Sequence, residues 1–345
     1  AALRGGGKSF DLEGESWWTQ ARNAVSKVKA ELEPILLRLD AQLKIDTMDW
    51  YSRLWQDVSL WQEVAGDLPM PQFATQSLDS LQGFSISFED VVPLCYLKGE
   101  LEGYPIKREI QHVVVDEVQD YAPMQLHILV KTFPRARFTF VGDIFQSLNP
   151  YMWQNGKALN DLYGELGVRT VRLTKSYRST EEIFHFCNAL LRDEVLAETV
   201  LRHGQKPSVY RAPNGERMRK IHDLVVTQSQ EGFETVAIIC ESVTECEEIF
   251  ASLQDLDPTL DISLLVHEKA TFRPGVVIVP VFLAKGLEFD AVIVPEASSH
   301  KYGEEHQRRL LYVACSRALH RLSLLYTEEL SPFVQEMSKE LYILE

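Results

Sequence analysis

Two short polar stretches have the residue types of a site for magnesium and phosphate. Asp116 and Glu117 directly follow an apolar, β-branched run, which predicts a buried parallel strand. Gly142 and Asp143 follow a second apolar run, and Gln146 comes three residues later. Because ligands of open α/β sheets bind at the carboxyl ends of the strands, we expect these groups to share one edge. One carboxylate could order the water shell of the ion, the other could accept a proton from water, and the amide could sense a terminal phosphate.

Further groups suited to a phosphate ligand lie in the second half of the chain. Tyr177 and Arg178 occupy a predicted strand-to-helix turn, where the ring could stack on a base and the guanidinium could touch a phosphate. Gly286 and Glu288 lie in a charged turn between two apolar runs. Arg317 lies near the C-terminal end of a predicted helix. The two arginines each have an ordinary alternative: Arg178 as a surface residue, and Arg317 as a partner of the helix dipole.

The elements that must position these groups alternate between strand and helix from His112 onward. Predicted strands cover 112–115, 138–142, 169–173, 236–240, 276–280, 291–294 and 321–326. Predicted helices cover 122–131, 179–191, 242–253, 304–318 and 331–340. This alternation is typical of α/β proteins with parallel sheets built from βαβ units.

The residues before His112 favour helices. The apolar spacing predicts helices over 16–39 and 46–64. The two prolines in 66–85 indicate a linker. Ser87 with Asp90 has the spacing of a capping box, which predicts a helix from there to about residue 101. The second helix carries three tryptophans, which indicate core or a domain contact, with a base-stacking platform as the alternative.

Composition indicates an ordinary globular protein. The chain has 345 residues, 45% of them hydrophobic, and a net charge of −15. That charge disfavours a large nucleic-acid footprint and favours a protein partner, although a local basic groove is compatible with it. Five scattered cysteines predict reduced thiols in a cytoplasmic protein. No apolar stretch reaches the ~18 residues of a membrane span.

Five motifs in order resemble the later motifs of superfamily 1 helicases of the UvrD/Rep group. They are Asp-Glu-Val-Gln-Asp from 116, Gly-Asp-x-x-Gln-Ser from 142, Tyr-Arg-Ser from 177, Lys-Gly-Leu-Glu-Phe-Asp from 285 and Tyr-Val-Ala-x-Ser-Arg-Ala from 312. The resemblance implies two RecA-like (P-loop NTPase) domains with ATP held between them. We therefore expect a partial first domain with helical additions over 1–155 and a second domain over 156–345, which carries the last three motifs.

The resemblance also implies a role for each matching residue around the phosphates. Asp116 would hold Mg²⁺ through water, and Glu117 would be the general base. Gln146 would couple the γ-phosphate to domain closure. Arg178 would contact the γ-phosphate, and Arg317 would be an arginine finger in cis.

The remaining matches concern the nucleoside. By the same resemblance Tyr177 would stack on adenine, and Glu288 with Gly286 would lie near the ribose hydroxyls.

The phosphate loop that this family requires is not credible in this sequence. Residues 2–9 formally fit a loose form of it, but that loop needs a strand before it and a helix after it. We expect a flexible end or a junction there instead, in which Lys8 binds no phosphate. On this interpretation the chain is the C-terminal part of a larger protein, and alone it would hydrolyse ATP negligibly.

Two further departures concern DNA. DNA translocases of the group carry Thr-x-His where this chain has Pro-Val-Phe, at 280–282. The residues by which they contact single-stranded DNA after Gln-Ser are also changed here, at 148–151. Only 106 residues, 179–284, separate Arg178 from Lys285, too few for the large inserted domain of unwinding members.

This combination is most similar to the HelD branch, which associates with bacterial RNA polymerase. The stretches 93–103 and 279–294 carry that similarity. It implies an ATPase that remodels RNA polymerase or releases it from nucleic acid. The alternatives are a fragment of a UvrD/Rep-type DNA helicase or translocase, and a degenerate binding module, which would be expected to have lost Glu117 or Arg317.

Overall fold

The structure is a computed structural model in which two compact units are distinguished. It describes residues 26–28, 30–35, 46–83, 85–146, 167–173, 175–192, 198–199, 202–213, 215–267 and 273–345. One unit comprises 1–107 with 128–134, and the other 108–127 with 135–345. The predicted division near residue 155 falls outside the described residues and stays a prediction. Among the described residues, no helix combines the length and apolarity needed to cross a bilayer.

The first unit is helical where it is described. Its named helices are α1 (Thr47–Gln56), α2 (Val58–Ala65), α3 (Ala74–Gln82) and α4 (Phe88–Glu102). The predicted helix over 46–64 is divided because Asp57 ends α1 and caps α2, accepting from the backbone N–H groups of Ser59 and Leu60. The linker predicted over 66–85 is wrong in its second half, which forms α3.

Aromatic packing and one buried carboxylate hold these helices together. Trp55 lies 5.5 Å from Tyr51 and 5.6 Å from both Trp61 and Phe73, centroid to centroid, so this tryptophan belongs to the core. The predicted Ser87 cap is confirmed, since its hydroxyl accepts from the N–H of Asp90 at 3.2 Å.

Tyr51→Phe is expected to lower the free energy of unfolding by about 1.5–3 kcal/mol, the value of a hydrogen bond to a charged group. The Tyr51 hydroxyl donates to the buried Asp90 carboxylate at 2.7 Å. Burial and that carboxylate raise the pKa of Tyr51 well above its usual range, so the phenol stays a donor. Tyr104→Phe, which removes an exposed bond to Glu100, is the control. Denaturant melts followed by tryptophan fluorescence should separate the two variants, and equal midpoints would contradict a structural role for the buried bond.

The second unit contains the predicted α/β architecture. Its principal sheet has seven strands, all parallel, in the order β11-β5-β10-β9-β6-β8-β7. Those strands are β5 (Ser208–Arg211), β6 (Thr235–Cys240), β7 (Ile262–Leu264), β8 (Gly275–Pro280), β9 (Phe289–Val294), β10 (Ala318–Tyr326) and β11 (Ile343–Leu344). The named helices after β1 are α5 (Pro123–Thr132), of which 128–132 belong to the first unit, α6 (Glu181–Leu190), α7 (Arg217–Gln230), α8 (Val243–Leu256), α9 (Val281–Ala284), α10 (Glu305–Cys315) and α11 (Pro332–Gln335).

Successive side chains of the central strands point to opposite faces of this sheet and pack into two cores, one on each face. In β6, Ala237 and Ile239 join the core formed with α6, α10 and α11, whereas Val236, Ile238 and Cys240 join the core formed with α7 and α8. Strands buried on both faces read as continuous apolar runs, which is why this part of the fold was predictable.

A smaller parallel sheet carries the first two motifs. It pairs β1 (His112–Val115) with β2 (Arg137–Phe140), Val115 facing Phe140. The expectation of a strand buried on both faces is wrong for β1 in the described part of the chain, because Val114 is 66% exposed. A short pair, β3 (Lys175–Ser176) with β4 (Glu198–Thr199), precedes the main sheet.

Two predictions around residues 169–182 are wrong. Residues 169–173 form no strand, and β3 follows them. Ser179 with Glu182 has the spacing of a capping box, which predicts Ser179 as the cap of this helix, but the cap of α6 is Thr180, without a side-chain hydrogen bond. Its turn is held instead by backbone bonds to Arg202 and Leu319.

Candidate active site

The end of β1 forms a constrained turn that presents two carboxylates. The backbone of β2 holds this turn on both sides, because Val141 donates to Val115 and accepts from Val118. Glu117 lies between them in the left-handed region, at φ 50°, and its N–H donates to the Asp116 carboxylate at 2.9 Å. Strained backbone of this kind is found at functional sites, where the surrounding structure must stabilise it.

Arg317 is a buried cation held by uncharged groups. It lies just after α10, and its guanidinium donates to the carbonyl oxygen of Val313 at 3.2 Å and to Oε1 of Gln146 at 2.6 Å. The side chain is fully buried, and among the described residues no carboxylate lies within 4.0 Å of it. Burial, followed by the proximity of Arg178, lowers the pKa of Arg317. A buried charge without an ionic partner is costly, so this position favours an anionic ligand.

A continuous series of hydrogen bonds joins Glu117 to Arg317. Arg317 donates to Gln146, whose amide NH₂ donates to Oδ2 of Asp143 at 2.9 Å. The backbone N–H of Asp143 donates to Oε1 of Gln119 at 3.0 Å, and the amide NH₂ of Gln119 donates to the Glu117 carboxylate. The structure thus brings the predicted groups Glu117, Gln146 and Arg317 into one connected arrangement.

The predicted nucleoside and γ-phosphate groups form a second arrangement. Arg178 and Glu288 pair at 2.6 Å, although the sequence assigned them to different parts of the ligand. Arg317 donates to the carbonyl oxygen of Leu287, the neighbour of Glu288, at 3.4 Å, which places this pair near the first arrangement. Tyr177 is 70% exposed, and Gly286 adopts φ +82° in the turn between α9 and β9. The positive φ explains why glycine occupies this turn.

The sequence placed Asp143 in the predicted magnesium–phosphate site without a specific role, and it indicated no role for Gln119, Asp120 or Lys285. The Lys285 ammonium lies 2.5 Å from both oxygens of Asp120 and 3.9 Å from Glu117, joining the turn after α9 to the turn after β1. All four residues belong to the motifs already quoted, and this position inside the motifs was the signal available. Lys8 and 147–151 lie outside the described residues.

Comparison with known proteins defines part of this unit. Residues 275–325, from β8 to β10, match the family described as UvrD-like helicase C-terminal domain. The chain carries a UvrD-like helicase C-terminal domain. The matched segment contains Lys285, Glu288 and Arg317.

One solved structure resembles part of the chain. It is the C-terminal domain of a possible DNA helicase from Lactobacillus plantarum WCFS1, 38% identical, covering 49% of this chain and 98% of that chain, with a TM-score of 0.43. A search of curated proteins found no significant match. The residues matched by the family include β8, β9 and β10 of the main sheet, while the turn after β1 lies outside them.

Proposed function

We propose that this chain forms the nucleotide-hydrolysing part of a helicase-related motor, with ATP and Mg²⁺ as its ligands. The observation that carries the proposal is the hydrogen-bonded series from Glu117 through Gln119, Asp143 and Gln146 to Arg317. It connects a carboxylate suited to proton acceptance with a cation suited to stabilising phosphoryl charge. The UvrD-like helicase C-terminal domain supports the same conclusion.

The residues present fit a magnesium–polyphosphate ligand. Arg317 lacks an ionic partner among the described residues, and Arg178 lies near it, so an anion would relieve both buried charge and cation–cation repulsion. In the described chain no group of three or more His, Cys, Asp or Glu side chains is arranged to enclose a metal. Mg²⁺ commonly keeps several waters and uses one or two carboxylates with substrate phosphates, a role suited to the exposed Asp116.

Bound ATP would supply the phosphoryl group, and Mg²⁺ would neutralise part of its charge. In this proposal Glu117 accepts a proton from the attacking water, and Arg317 offsets charge developing on the transferred group. Gln146, bonded to Arg317, transmits the state of the site between the two sheets. Tyr177, Glu288 and Gly286 hold the nucleoside, with Arg178 exchanging its pairing with Glu288 for a phosphate.

We further propose the HelD-like arrangement, with 1–155 as a partial first RecA-like domain carrying helical additions, 156–345 as the second RecA-like domain, and RNA polymerase as the target. At the end of β8, where DNA translocases of the group carry Thr-x-His, Pro280 is followed by the buried Val281 and the exposed Phe282. None of these side chains can donate a hydrogen bond to a DNA phosphate. The net charge of −15 also favours a protein target.

A DNA helicase or translocase of the UvrD/Rep type is the second candidate. The family match favours it, because that family is named for a helicase. Both candidates use the same nucleotide site and differ only in the macromolecule that stimulates turnover.

RNA polymerase core is expected to raise ATP turnover of the complete natural protein by about tenfold or more, equivalent to ~1.4 kcal/mol in the barrier. Single-stranded DNA should have a smaller effect. Phosphate release would be measured with the protein alone, with polymerase core and with DNA, and polymerase binding would be measured separately by gel filtration.

Strong stimulation by DNA with no polymerase binding would replace the first candidate with the second. Absence of turnover under all three conditions would overturn the motor proposal itself.

A further inference from the structure

Gln119 occupies the centre of the hydrogen-bonded series without having been assigned a role. Its side chain is fully buried in the turn after β1. One end of the amide contacts the Glu117 carboxylate and the other contacts the backbone N–H of Asp143, at the end of β2. The residue therefore spans the edge of the small sheet at which the two motifs meet.

The two contacts fix the orientation of the amide. A backbone N–H can only donate, so the Gln119 oxygen must face Asp143. The NH₂ group then faces Glu117, whose ionised carboxylate can only accept. Glutamine satisfies both neighbours at once, whereas a glutamate would place two carboxylates together and an apolar side chain would satisfy neither.

The backbone of the second motif is adapted to this side chain. A Cβ added at Gly142 would lie 2.2 Å from Oε1 of Gln119 and 2.9 Å from Cγ1 of Val118. Any larger residue would therefore displace the amide or the turn. The glycine of this motif provides the space that brings Asp143 within hydrogen-bonding distance of Gln119.

We propose that Gln119 is a positioning residue that aims the Glu117 carboxylate and links it to Asp143, Gln146 and Arg317. This inference rests on the proposed function, since it assigns Gln119 to the same reaction. Gln119 acts through Glu117, to whose carboxylate its amide NH₂ donates. Its loss should impair the chemical step and leave nucleotide affinity unchanged.

Gln119→Met is expected to reduce kcat about 10²-fold, a loss that misplacing a reacting group by roughly 1 Å can cause. The KM for ATP and the Kd of a fluorescent ATP analogue should stay within about twofold, because binding groups are untouched. Gln119→Glu should show the same loss, since it keeps an acceptor for Asp143 but withdraws the donor from Glu117. Both would be measured in the complete natural protein under its stimulating condition.

Gln228→Met is the matched control. Gln228 is also a buried glutamine, donating to Ser323 at 3.1 Å between α7 and β10. The Gln228→Met variant should have a lower melting temperature than the wild type and an unchanged kcat. If Gln119→Glu has a lowered melting temperature, the kcat of Gln119→Met decides the test, because methionine places no charge in the protein interior.

The possible results distinguish a failure of the positioning role of Gln119 from a failure of the proposed function. Wild-type kcat in Gln119→Met would overturn the positioning role while leaving the motor proposal intact. Equal losses in kcat and in analogue affinity would also overturn it, since they would indicate a merely structural role. A wild-type protein without turnover would instead overturn the proposed function.

Discussion

Arg317→Met is expected to slow ATP turnover about 10³-fold or more, the range found when an arginine finger is removed. Arg317 is fully buried, and its charge has only Gln146, Ser316 and backbone oxygens as hydrogen-bond partners in the described chain. A cation held this way is arranged in advance for negative charge that develops during phosphoryl transfer. Arg317→Lys should recover little, since a single ammonium cannot satisfy the same set of acceptors.

The stability of the same variant should not fall along with its activity. Replacing a buried, ionically unpaired guanidinium by an apolar group of similar length removes a desolvation cost. We therefore expect Arg317→Met to keep or raise the melting temperature. Phosphate-release assays and thermal melts on the same samples would measure both effects.

Arg308 offers a matched control in the helix just before Arg317. It is buried as well, but it pairs with Glu305 at 2.8 Å, donates to the Leu190 carbonyl oxygen and lies 4.0 Å from the centroid of the Phe333 ring. Arg308→Met should lower the melting temperature and leave turnover nearly unchanged. If instead both variants lost stability and activity in parallel, Arg317 would be a structural residue.

The strands that could be predicted from the sequence are those that the sheet buries on both faces. Runs such as 276–280 and 291–294 are apolar throughout, so their pattern alone indicates a central parallel strand. Residues 169–173 also alternate, yet Val171 and Leu173 are exposed and no strand forms, because alternation does not specify a pairing partner. Strand β5, second from one edge of the sheet, was missed for the complementary reason: its four residues gain their structure from pairing with β10 and β11.

The residues of the candidate site could be predicted from the sequence, but the contacts between them could not. Asp116, Glu117, Gln146 and Arg317 follow from motifs whose order the chain preserves. The contact between Gln119 and Asp143 joins residues 24 positions apart, and the pairing of Arg178 with Glu288 joins two motifs that seemed independent. Such contacts depend on how strand ends are brought together in three dimensions, which local spacing does not encode.

Glu117→Gln is expected to reduce kcat by at least about 100-fold, the lower end of what a general base contributes. The substitution is conservative in shape: the amide oxygen of the new side chain can still accept from Gln119, and Lys285 keeps its pairing with Asp120. What is lost is the negative charge that would take up the proton of attacking water. Affinity for an ATP analogue should therefore be preserved, so the effect would appear in kcat rather than in KM.

Asp116→Asn gives the contrasting variant at the neighbouring position. Asp116 is exposed and bonds only locally in the described chain, through the N–H of Glu117. If it orders the water shell of Mg²⁺, the variant should need more Mg²⁺ for half-maximal turnover, whereas added Mg²⁺ should not restore Glu117→Gln. Titrating Mg²⁺ against both variants distinguishes the two carboxylates. Full activity of Glu117→Gln would remove the assigned base, and since Arg317 is tested independently, the buried cation could then still serve a water activated by another group.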